Sequence, residues 1–232
     1  VNRRPVNGTP VTGKPLPGKP VTRLILVRHG ETDWNAQHLL QGASDIPLND
    51  NGRAQARAAA PELARIAPVK RIVSSDLSRA LETAHIFADA MGAEVVTDAR
   101  WRERSYGVWE GLAEDVREAN HADEYKRWVE GLEPNVEGYE MNHTVRDRAL
   151  AAIDDLAPVE GTHVVVSHGS TTRVVVGALL GAELGSHGIG NLGNAQWVEL
   201  TREGDGPWVL RSLNARALDP SSVNSASASD EA

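Results

Sequence analysis

The stretch LILVRHGETDWN, Leu24–Asn35, runs an apolar segment straight into an arginine, a histidine and a glycine. Leu24 to Val27 read as a strand buried on both faces. A charge left alone at the exit of such a strand is costly. Arg28 and His29 must be solvated, paired with acids, or turned toward something that arrives carrying negative charge. A second segment repeats the pattern: HVVVSHG, His163–Gly169, is an apolar strand that also breaks at His-Gly. In a parallel sheet, ligands collect beyond the carboxyl ends of the strands. If these two strands are neighbours, His29 and His168 face one another there. Gly30 and Gly169 let the backbone turn sharply and approach a ligand closely.

Working outward, strands are expected at Leu24–Arg28, Arg71–Ser74, Glu94–Thr97, His163–Ser167, Gln196–Thr201 and Trp208–Leu213. Helices fall between them. One begins near Asn51 and carries Ala56, Ala59, Ala60, Leu63 and Ala64 at helical spacing, with Pro61 expected to bend it or end it early. Leu77, Ala80, Leu81, Ala84, Ala88 and Met91 form the stripe of the next, with Ser75 or Asp76 as its N-cap. Val145, Ala149, Ala152, Ile153 and Leu156 form a third stripe, and TTRVVVGALLGA is apolar enough for a helix packed deep on a sheet. The alternation predicts an α/β fold, three layers (α/β/α) around a mostly parallel central sheet. Leu112 to Asn142 is polar and Trp-bearing and reads as an insertion over one end of the sheet. Residues 1–20, with five prolines and three glycines, read as a flexible arm. Residues 219–232 read as a disordered Ser/Ala-rich tail, leaving 21–218 as one body.

The bulk composition narrows the function. Among 232 residues, Lys+Arg number 24 and Asp+Glu 32, a net charge of −8. That argues against a nucleic-acid partner, which needs a basic footprint. An anionic substrate must then be drawn by a local positive pocket. With no cysteine there is no disulfide, thiol catalysis or thiolate metal site. No apolar run approaches the ~20 residues of a membrane span, and no basic-then-apolar leader opens the chain. A soluble cytoplasmic protein with no membrane partner is expected, as a monomer or a homodimer.

A third strand-to-helix junction, RIVSSDLSRA, puts Arg79 in the first turn of its helix, where the helix end itself favours anions. Arg28, Arg79, His29 and His168 can then converge on one anion, and a guanidinium fork suits phosphate. Each has a bland alternative. Arg79 can pair with Glu82, and His168 can be a core histidine bonded to backbone. What favours convergence is that three cation-bearing groups, Arg28 with His29, Arg79 and His168, each sit at the exit of a separate strand. A neutral imidazole is a competent nucleophile toward phosphorus, and arginines take up charge in the transition state. A leaving alkoxide needs a proton. RWRERSYGVWEGL offers Glu103 and Glu110, and Glu103 is the better placed; a surface ion pair with Arg102 or Arg104 is its alternative reading. Such chemistry needs no metal or other cofactor, and His38 and Glu31 show no metal-ligand spacing.

LVRHGETDWN resembles the signature of the histidine phosphatase superfamily, in its phosphoglycerate mutase-like group. The likeness extends through QGASDIPLNDNGRAQA, IVSSDLSRALETA, RWRERSYGVWEGL and VVVSHGSTTRVVVGALL, from Leu24 to Leu200. The resemblance implies a phosphohistidine enzyme acting on a small phosphorylated metabolite. His29 would be the nucleophile and Glu103 the proton donor. Arg28, Arg79 and His168 would form the phosphate pocket, with Asn35 assisting. Gln41 and Gly42 would touch substrate, and Arg173 would be structural. The family's Gly-Gly-Glu-Ser-like turn is replaced by EGYEMNHT, with Glu140 in the Glu position. The insert before His168 is shorter than in cofactor-dependent mutases, and their lysine after the Gln-Gly-Leu block is missing. Arg104, Lys126 and Arg127 are the candidates for holding a second acidic group. Hydrolysis is therefore expected over transfer, with a phosphoglycerate mutase or a non-catalytic phosphate binder as alternatives. GIGNLGNAQWVEL resembles actinobacterial members of the family. Of Trp34, Trp101, Trp109 and Trp128, most are expected to pack in the core.

Overall fold

The computed structural model describes residues 21–66, 68–156, 161–182 and 189–217; the expected arm and tail lie outside them. Six strands form one sheet: β1 (Val21–Arg28), β2 (Arg71–Ser74), β3 (Glu94–Thr97), β4 (Gly161–Ser167), β5 (Trp197–Glu203) and β6 (Val209–Ala215). Their order is β3-β2-β4-β1-β5-β6. The first four run parallel, while β5 is antiparallel to both β1 and β6. β1 and β4 are neighbours in register, with Arg28 opposite Ser167, so His29 and His168 leave the sheet side by side.

Alternation along β1 builds the two cores. Ile25 and Val27 join Ile72, Val164 and Val166 on one face, covered by Ala56, Ala59, Ala60 and Leu63 of α2 (Asp50–Ile66) and by Ala80, Ala84, Phe87 and Ala88 of α3 (Ser78–Met91). Leu24 and Leu26 join Val73, Val165, Val198 and Leu200 on the other, covered by Ala149, Ala152 and Ile153 of α6 (Asn142–Leu156) and by Val175 and Val176 of α7 (Gly169–Leu179). Strands with both faces buried need apolar residues at every position, which is why β1 and β4 read as unbroken hydrophobic runs. The chain leaves β1 toward α2 on one face and leaves β4 into α7 on the other. A crevice opens between such strands at their carboxyl ends.

The insertion forms α4 (Glu114–Asn120) and α5 (Ala122–Val129), anchored where the Trp109 ring meets those of His121 and Trp128 edge-on. Trp101 and Trp109 are fully buried, whereas Trp34 and Trp128 are half-buried. Among the described residues no helix is long and apolar enough to cross a membrane.

Two local expectations are corrected, the early end of α2 at Pro61 and the N-cap of α3. Pro61 does not end α2, which runs on to Ile66. Positions 57 and 61 are both exposed, so water can take the carbonyl that Pro61 leaves without a donor, while Ala59, Ala60 and Leu63 hold the helix to the core. The N-cap of α3 is Leu77, whose side chain makes no cap bond. A distant carboxylate does the work: Asp45 Oδ1 accepts from Ser78 N at 2.8 Å and from Ser78 Oγ at 2.7 Å.

Because position 61 is an exposed helix interior, Pro61→Ala should stabilise the fold. Proline costs about 3 kcal/mol against alanine there, offset by about 1 kcal/mol from the freer unfolded chain. Urea unfolding should show a gain of about 2 kcal/mol; a loss would mean that the proline ring itself packs usefully.

Candidate active site

Three parallel strand ends converge. His29 N donates to Ser167 O at 3.0 Å, and Ser75 N donates to Val166 O at 2.9 Å, so the exits of β1, β4 and β2 remain laced together beyond the last paired residues. Gly30 packs on Gly52 at the start of α2: a Cβ on Gly30 would lie 2.4 Å from Gly52 O. Gly30 N donates to Thr83 Oγ1 at 3.1 Å, and that hydroxyl donates to Arg79 O. Two glycines and a threonine thus set the turn that carries His29.

The imidazoles of His29 and His168 are buried, with ring centroids 5.1 Å apart. His29 Nδ1 lies 2.6 Å from Gly30 O. A carbonyl only accepts, so Nδ1 carries the proton and Nε2 presents its lone pair. Burial first, then the charges of Arg79 and Arg28, hold its pKa well below 6.5, so the ring is neutral at pH 7. His168 is held low by burial, Arg79, His29 and Arg28 in that order. Its Nδ1 accepts from Arg79 Nε at 3.3 Å, which leaves Nε2–H to donate to Ser75 Oγ at 2.9 Å.

Arg79 has no exposed surface. Burial lowers its pKa to about 10, with Glu103 acting in the opposite sense, so it stays charged. Among the described residues it pairs with no acid directly; Glu82 is taken by Arg53 at 2.7 Å. Instead Nη1 donates to Ser44 O and Nη2 to Gly42 O. Arg28 Nη1 donates to Leu192 O at 2.7 Å, while its Nε is buried without a partner among the described residues. Burial lowers the Arg28 pKa as well, again opposed by Glu103. The pocket therefore concentrates positive charge in a dry place, the situation an arriving dianion relieves.

Glu103 follows the 3-10 turn Ala99–Trp101 and reaches the N-terminus of α7. Its carboxylate accepts from Ser170 N, Thr171 N and Arg104 N, each at 2.9 Å, with Thr171 Oγ1 at 3.0 Å. Glu110, the second carboxylate of that segment, is a clamp. It accepts from Ala43 N, Ser44 N and Ser44 Oγ on one loop and from Tyr106 N on another. A Cβ on Gly42, at φ +57°, would strike it at 2.2 Å. Gly42 thus serves the loop through its carbonyl and its lack of a side chain. Gln41 is buried in the same loop, and its Oε1 has no partner.

Asn35 lies in α1 (Asp33–Ala36), where it completes a capping box with Thr32. Asn194, which the sequence did not single out, donates through Nδ2 to His29 O and to Asn35 Oδ1, both at 3.1 Å. Glu140 forms a two-pronged ion pair with Arg148 and stands as structure rather than a substrate wall. Lys126 and Arg127 pair with Glu130 and Glu124 on the insertion. Arg104 is buried against Tyr139 and Asn142. Among the described residues no three His, Asp or Glu side chains group so as to hold a metal ion.

The model of the histidine phosphatase superfamily (branch 1) matches residues 24–216. Glucosyl-3-phosphoglycerate phosphatase of Mycolicibacterium vanbaalenii is 37% identical over 190 residues, 78% of this chain and 84% of that protein. "Probable phosphoglycerate mutase GpmB" of Enterobacter sp. (strain 638) is 39% identical over 166 residues, 68% and 75% of the two chains. The structure of mycobacterial glucosyl-3-phosphoglycerate phosphatase complexed with VO3 superposes with a TM-score of 0.75 at 33% identity, covering 83% of this chain and 98% of that one. Phosphoserine phosphatase of Entamoeba histolytica, complexed with 3-phosphoglyceric acid, gives 0.72 at 32%, covering 84% and 97%. A family model that spans the body of the chain, together with relatives this similar, establishes that the chain belongs to the histidine phosphatase superfamily and is a phosphatase.

Proposed function

We propose that this phosphatase hydrolyses a small phosphate monoester through a phosphohistidine on His29, without a metal. The observation that carries the reading is the His29 ring: Nδ1 tied to Gly30 O and a neutral, buried imidazole beside two guanidiniums. In the first step the Nε2 lone pair attacks phosphorus and the P–O bond to the alcohol breaks. Arg28 and Arg79 hold the equatorial oxygens, with Asn35 and Gln41 as further amide partners and Gly42 shaping the wall. His168, whose Nδ1 Arg79 occupies, exchanges Ser75 Oγ for a phosphate oxygen at Nε2–H. Glu103, which must enter this step as the carboxylic acid, gives its proton to the leaving alkoxide and is left as the carboxylate. In the second step water attacks phosphorus, Glu103 takes a proton from it, the P–N bond breaks, and His29 returns neutral with inorganic phosphate released.

The relatives named for glucosyl-3-phosphoglycerate phosphatase and phosphoserine phosphatase make a phosphorylated small metabolite the first substrate class to test. The relative named as a mutase supports transfer as the second reading. It is disfavoured because Arg104, a candidate for holding a second acidic group, is buried against Tyr139 and Asn142 instead. We also place the enzyme in the cytoplasm. A homodimer is part of this reading, supported by apolar residues exposed on the edge strands, Val96 of β3 and Val209, Leu210 and Leu213 of β6.

Turnover of p-nitrophenyl phosphate should persist in EDTA, and His29→Ala should lower it about a thousandfold or more while circular dichroism stays native. Loss in EDTA, or retained turnover in the variant, contradicts the scheme. Supplying 3-phosphoglycerate with 2,3-bisphosphoglycerate should release phosphate rather than form 2-phosphoglycerate.

Glu103→Gln should separate leaving groups. Nitrophenolate departs without a proton, so its ester should lose less than about tenfold, whereas an alkyl phosphate should lose about 10²-fold or more. Equal losses would remove Glu103 from proton transfer.

A further inference from the structure

The segment just before β5 grips the nucleophile from outside the sheet. Arg28 N donates to Gln196 O at 3.0 Å, and Ala195 N is shared between Arg28 O and His29 O, each at 3.1 Å. Ala195 sits at φ +55°, a conformation that L residues rarely adopt, and is 5% exposed. Backbone held in such a region points to a site where the surroundings dictate the geometry. Leu192 O takes the Arg28 guanidinium at 2.7 Å. Asn194 stands in the middle of this grip.

Its amide is oriented by chemistry. His29 O can only accept, so the group facing it must be Nδ2. The other hydrogen of that Nδ2 then points to Asn35 Oδ1, which also accepts from Thr32 N at 3.2 Å. Thr32 Oγ1 donates to the same oxygen at 3.3 Å, so three donors, two from the capping box and one from Asn194, hold the oxygen of Asn35 away from the anion. The Asn35 amide is left with Nδ2, a donor, for the pocket. Reversed, it would set a carbonyl dipole against phosphate.

We propose that Asn194 is a positioning residue that fixes the donor end of the Asn35 amide toward the phosphate while bracing the His29 carbonyl. The inference rests on the phosphatase reading above. Asn194 touches no substrate in this scheme; it acts through Asn35.

A double-mutant cycle isolates that coupling. The Ki of inorganic phosphate, measured against p-nitrophenyl phosphate, is compared for the wild type, Asn194→Leu, Asn35→Ala and the double variant. Leu keeps the size and adds no charge, and Asn194→Ala repeats the cycle should the Leu chain not fold. One hydrogen bond is worth about fivefold. Asn194→Leu should therefore weaken phosphate about fivefold with Asn35 present and less than about twofold in the Asn35→Ala background. Equal weakening in both backgrounds overturns the proposal while wild-type turnover leaves the phosphatase reading standing. A wild type that neither turns over nor binds phosphate overturns that reading, and this proposal with it.

Discussion

A buried guanidinium, Arg79, and a half-buried one, Arg28, neither with a direct acidic partner among the described residues, are the constraint around which the site is arranged. Arg79 and Arg28 are held by backbone carbonyls, on Gly42, Ser44 and Leu192, rather than by carboxylates. Carbonyl dipoles fix direction but cancel little charge, so the pocket keeps its field for a ligand. Burying an uncompensated charge is expensive, and that cost is what a dianion offsets on arrival. The same charges, with burial, keep His29 neutral. In the proposed scheme one arrangement therefore both attracts phosphate and leaves the imidazole lone pair free to attack it.

The sheet makes this possible. β1 and β4 lie side by side and parallel, and their chains depart to opposite faces. Glu103 enters from behind, on the first amides of α7, and the loop from Gln41 to Asp45 closes over Arg79. That loop has no core of its own. Glu110, Arg79 and the N-terminus of α3 hold it through charge-assisted bonds, worth about twice neutral ones. A long-range clamp of this kind couples the loop bearing Gln41 and Gly42 to the segment that bears Glu103.

Much of this was legible in the chain. Unbroken apolar runs ending at His-Gly revealed β1 and β4, and the small-residue stripes of α2, α3 and α6 gave the covering helices. Convergence of Arg28, His29, Arg79 and His168 followed from placing each at a strand exit. What escaped was whatever depends on partners far apart in sequence. Asp45 caps α3 from 33 residues away, and local preference pointed to Ser75 or Asp76. Glu110 resembled a spare catalytic carboxylate until its donors were known. Asn194 is one amide in a Gly-Asn-rich loop, and nothing in its neighbours signals that it reaches His29 and Asn35. For Pro61 the expected early end of α2 failed, because the carbonyl it leaves without a donor, on the exposed Arg57, can turn to water.

The central claim is that a phosphoryl group rests covalently on His29. Rapid mixing with a 32P-labelled monoester, quenching in alkali and mapping the labelled peptide tests it directly. The account predicts an alkali-stable, acid-labile label on the peptide containing His29, formed and discharged at rates no slower than turnover. Turnover with no label on that peptide, or a label on another residue, would contradict it.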